Sequence, residues 1–172
     1  MPMHTTAHVT DELRYVLRLF IVSTCFIFIA WIAKFHFVYG GDLLFRAGTI
    51  GVLISLTAQI FVLVRNARPY SSGLRQFYIF NSVCLFIAYL GMMLKVSHVF
   101  SSQFEKDLIL DFIGIPALVS STIYTFIIID KLMDASRTSA ILYFRHILMP
   151  WILFLLSFLF YGIYSVILAR SS

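Results

Sequence analysis

The chain has 172 residues, of which 60% are hydrophobic and 12% charged, with a net charge of +5 and a mean hydropathy of +0.92. A soluble domain of this size needs about a quarter of its residues charged to wet its surface, and 18 phenylalanines are too much bulk for one small core, so the class is an all-α membrane protein. The 13 lysines and arginines are scattered through short hydrophilic gaps without a basic run, which points to a bilayer surface and away from nucleic acid.

Five apolar stretches follow one another at 17–38, 43–64, 77–96, 108–129 and 147–168. Each has roughly 20 residues, the length a helix needs to cross about 30 Å of hydrocarbon. Unpaired amides are too costly in lipid for any other conformation, and no strict alternation signals a barrel. The expectation is one polytopic bundle of five transmembrane helices over 1–172.

Before the first stretch, Thr10 is placed to cap a helix with Asp11 and Glu12 in its first turn. Those acids, and the lack of a small-residue cleavage site after them, predict that the first stretch is an uncleaved insertion signal. Gly40-Gly41-Asp42 leaves room only for a tight antiparallel hairpin. The second stretch carries Ala47, Gly51 and Ser55 at four-residue spacing, a surface small enough for close helix contact, and Gln59, which is costly to leave unpaired in hydrocarbon. Residues 65–73 hold Pro69 and Gly73 in a polar run and form the clearest loop.

The third stretch stacks Asn81, Cys84, Ala88, Gly91, Lys95 and His98 on one face. The fourth has Asp111, Gly114, Ser121 and Thr125 in a comparable row, and Pro116 about two turns in. Lys95 and Asp111 lie at similar depth and are a candidate ion pair across the third hairpin. Residues 139–146 read as an interfacial helix leading into the fifth stretch, with Pro150 bending the junction and His146 on the cytoplasmic surface. Cys25 and Cys84 sit within apolar segments and read as small packing residues.

Counting cations on alternate sides gives eight with the amino terminus (Arg14, Arg18, Arg65, Arg68, Arg75, Lys131, Arg137, Arg145) against five (Lys34, Arg46, Lys95, Lys106, Arg170). The positive-inside rule then puts the amino terminus in the cytoplasm and the carboxyl terminus outside, as in a bacterial inner membrane. Tyr15, Tyr70, Tyr78 and Trp151 fall near one interface, and Trp31, Tyr39, Tyr161 and Tyr164 near the other.

No nucleotide-binding, hydrolase or zinc motif occurs, so no catalytic residue and no metal ligand is assigned. His36 and His98 end their stretches at similar depth with Gly91 below, the arrangement a b-type haem would need, although ordinary interfacial histidines account for them more simply. No cofactor is expected. Three functions remain: a non-catalytic subunit packed against other membrane proteins or itself, a small transporter or channel with a polar pathway through Gln59, Asn81, Lys95 and Asp111, and a membrane redox subunit using haem or quinone.

Overall fold

A computed structural model describes the backbone of residues 3–36, 39–65, 72–96, 114–133 and 144–171, and side chains from Glu12 onward for most of them. Among these residues no strand occurs. The elements are α1 (Met3–Phe35), α2 (Gly41–Arg65), α3 (Ser72–Val96), α4 (Ile115–Met133), and α5 (Met149–Ser171), the last entered through a π-helical turn at Phe144–Leu148.

Four helical segments are long and apolar enough to span a membrane: Glu12–Phe35, Gly41–Arg65, Arg75–Val96 and Phe144–Leu168. They mark the chain as a membrane protein. One boundary differs from that expected. α1 begins at Met3 and runs through Thr10, so Thr10 is an interior residue and not a cap. Residues 139–143 lie outside the described residues, and from Phe144 the chain runs without a break through the π-helical turn into α5. Pro116 is the second residue of α4, and residues 97–113, which would show how far into a longer helix it lies, are outside the described residues.

α1 and α2 form the tightest pair. The chain reverses at Gly40, whose φ of 97° favours glycine, and the Leu44 amide donates to the Gly40 carbonyl at 3.1 Å to open α2. Close approach is set by Gly48 and Gly51. A Cβ on Gly48 would lie 2.8 Å from the Ser23 carbonyl oxygen and 2.9 Å from the Ile27 amide nitrogen. On Gly51 it would overlap Ser23 Oγ and lie 3.0 Å from Ser23 Cβ. Ala47 is exposed, so the close contact runs through Gly48 instead of the expected Ala47. In lipid, where burying apolar surface gains nothing, such backbone approach holds helices together.

Contacts between α3 and α5 advance together. Ser82 and His146 meet at Gln59, the Tyr89 and Phe154 rings are 5.1 Å apart, and the Lys95 ammonium lies 5.4 Å above Tyr161. The two helices are therefore parallel. α4 runs antiparallel to α3, with Ser121 bonded to Asn81 and Tyr124 5.4 Å from Phe77. Trp31, Phe45, Leu56, Leu85, Tyr89 and Met92 fill the core. Trp31 is thus no interfacial anchor: its indole N–H crosses from α1 to donate to Ser157 Oγ at 2.9 Å. Trp151 and Tyr78, expected in the opposite belt, are buried as well, whereas Tyr15 and Tyr39 are exposed.

Candidate functional site

Gln59 is buried and projects from α2 between α3 and α5. Its Nε2 donates to Ser82 Oγ at 2.9 Å and to the His146 carbonyl at 3.3 Å, and its Oε1 faces His146 Nδ1 at 3.3 Å. A carbonyl can only accept, so the Gln59 atom facing it is the amide nitrogen. The oxygen then faces the ring, and Nδ1 carries the hydrogen of that bond. Ser82 completes the chain by donating to the Tyr78 carbonyl at 2.8 Å.

The sequence explains why the His146 carbonyl needs an outside donor. In an α-helix it would bond the amide four residues on, and that residue is Pro150, which has none. Near hydrocarbon a freed carbonyl must be satisfied by a neighbour, and Gln59 is that neighbour. Pro150, the π-turn and Gln59 together latch α5 to α2 and α3. His146, expected on the cytoplasmic surface, is 5% exposed because the turn carries it inward.

Asn81 makes a second tie. It is fully buried; its Nδ2 donates to the Phe77 carbonyl at 3.0 Å, and its Oδ1 accepts from Ser121 of α4. Other described hydroxyls bond carbonyls of their own helix, as Thr24, Thr49 and Ser55 do, and those bonds add nothing between helices. Two buried polar atoms have no hydrogen-bond partner among the described residues: the Tyr89 hydroxyl and Trp151 Nε1. Both belong to one aromatic cluster, in which Phe154 lies 5.1 Å from Tyr89 and 5.8 Å from Trp151.

The remaining candidates are dispersed. Asp111 and His98 lie outside the described residues. Lys95 is half-buried over Tyr161, and His36 is exposed at the end of α1. Gly91 and Gly114 are buried, and Ser55 is buried on α2 facing the core. Lys34 pairs with Asp42 across the first hairpin. Cys84 is buried, whereas Cys25 is exposed and does not pack. No group of three or more histidine, cysteine or acidic residues able to hold a metal occurs among the described residues.

Comparison with known proteins adds no identity: no family model matches the chain, and neither a curated protein nor a solved structure is similar enough to count as a match.

Proposed function

We propose that the chain is a five-crossing integral membrane protein, amino terminus in the cytoplasm and carboxyl terminus outside, that serves as a non-catalytic subunit of a larger membrane assembly. Parallel α3 and α5 support the fifth crossing. If both span the bilayer in one direction, the chain between them must return across it. α4, 19 residues long and about 28 Å at 1.5 Å per residue, is the segment able to do so.

The observation that carries the subunit reading is the commitment of Gln59 and Asn81 to partners inside the bundle. A transport site keeps its polar groups for a passing solute; here they hold four helices in register. What the bundle offers its surroundings is apolar, above all on α5, where Leu155, Leu159, Ile163, Val166 and Ile167 are exposed.

The test is affinity purification in two mild detergents with the mass of the complex measured by light scattering. One fixed ratio of partner or self-copies in both detergents is expected, lost in Leu159→Trp while the chain stays folded. A single monodisperse chain in both detergents, with no cross-linked neighbour in intact membranes, would contradict it.

A further inference from the structure

α1 runs unbroken from Met3 to Phe35, while the apolar span it contains starts only at Glu12. Met3 to Asp11 therefore form a helical extension of the span, about 13 Å long at 1.5 Å per residue. The base of this extension is fixed, because Leu13 is buried in one cluster with Val62 of α2.

This continuity changes what His4 and His8 amount to. With a helix opening at Thr10 they would be separate residues of a leading tail. Within one helix their spacing of four is a single turn, and they share a face. Asp11 follows His8 by three residues and continues the same row. Two histidines one turn apart on a helix are the pairing that helical metal sites use, and imidazole is a preferred ligand of zinc, copper and nickel. A carboxylate next in the row suits the other need of such sites, an acceptor for the second N–H of a ligating imidazole. The start of a helix carries partial positive charge, which opposes a bound cation; the negative charge of Asp11 offsets it. The other described histidines lie elsewhere: His36 is exposed at the opposite end of α1, and His146 is committed to Gln59.

We propose that the juxtaposition of His4 and His8 on the first turns of α1 binds one divalent transition-metal ion of the imidazole-preferring class, such as Zn2+. Two protein ligands leave the other positions of a tetrahedral ion to water. The site depends on the helix starting at Met3, since the same two residues in an extended chain would not stay one turn apart.

Calorimetric titration of Zn2+ into the full chain, purified in detergent without a histidine tag, tests this. One ion per chain is expected. His8→Ala combined with Val9→His keeps the number of histidines but moves the second one off the shared face, and it should weaken binding about a hundredfold, the low end of the gain from holding two ligands together. His8→Ala combined with Ala7→His restores a one-turn pairing at a spacing of three and should keep most of the affinity. His36→Ala should leave binding unchanged. The substituted positions 7 to 9 precede the apolar span, so the variants should fold, which circular dichroism checks. The absence of a saturable site in the natural chain, equal affinity in the off-face variant, or a loss in His36→Ala as large as in that variant would each overturn the proposal.

Discussion

Introducing a methyl group at Gly51 sets two effects of known sign against each other. Alanine is favoured over glycine inside a helix by about 1 kcal/mol, but the new Cβ overlaps Ser23 Oγ and lies 3.0 Å from Ser23 Cβ, and overpacking of this kind costs about 1–3 kcal/mol. Gly51→Ala should therefore be neutral to destabilising by about 2 kcal/mol in the natural chain. In a Ser23→Gly background both colliding atoms are gone, and the same substitution should stabilise by about 1 kcal/mol. Gly48→Ala is the control. Its Cβ meets the Ser23 carbonyl oxygen at 2.8 Å and the Ile27 amide nitrogen at 2.9 Å, which are backbone atoms that no side-chain truncation removes. Unfolding in graded SDS, followed by circular dichroism, gives both cycles. An equal cost of Gly51→Ala in both backgrounds, or rescue of Gly48→Ala by Ser23→Gly, would refute the helix-contact geometry.

Gln59→Leu should destabilise by about 2–6 kcal/mol, because it strands the His146 carbonyl and ring N–H and each buried orphan costs about 1–3 kcal/mol. Adding Pro150→Ala supplies an amide for that carbonyl and should recover part of the loss; no recovery would show that Gln59 does not compensate for the proline. Tyr89→Phe removes a buried hydroxyl that has no partner among the described residues and should raise stability by about 1 kcal/mol, so a clear loss in the same titration would contradict the assignment. In a cysteine-free chain, Ser102→Cys should react with an impermeant thiol reagent from outside the cell and Ser72→Cys should not. With Ser102 shown to be outside, a carboxyl-terminal tag accessible only from the cytoplasm would rule out five crossings.

The helices were legible because hydropathy and length constrain them strongly: no other conformation satisfies the backbone in hydrocarbon. Gln59 and Asn81 stood out for the same reason, as side chains too polar to face lipid. Their partners did not. Ser82 lies beside the small-residue face of α3 instead of on it, and His146 reads as a surface residue because 139–146 reads as an interfacial helix. The signal that locates His146 is Pro150 four residues on, since a proline leaves one carbonyl unpaired and a nearby side chain must answer it. Reading the proline only as a bend misses that partner.

Spacing also left the α2 contact ambiguous. Ala47, Gly51 and Ser55 repeat every four residues, and Gly48, Val52, Ser55 and Gln59 follow an equally helical row; the second holds the residues buried against the bundle, while Gly51 stays half-buried. Small size alone does not say which face meets a neighbour. Trp31 misled in another way. Its amphipathic ring suits an interface, but Ser157 on α5 satisfies its N–H, and that hydrogen bond joins residues 126 positions apart.

Whether the polar residues are internal ties or the lining of a pathway is decided most directly at Cys84, a native thiol on the Asn81 face of α3. It is 5% exposed. In sealed membranes carrying the Cys25→Ala protein, a small impermeant methanethiosulfonate applied from either side should leave Cys84 unmodified until the protein is denatured. Modification of Cys84 in the folded protein from either side would mean that water reaches this face and would contradict the account.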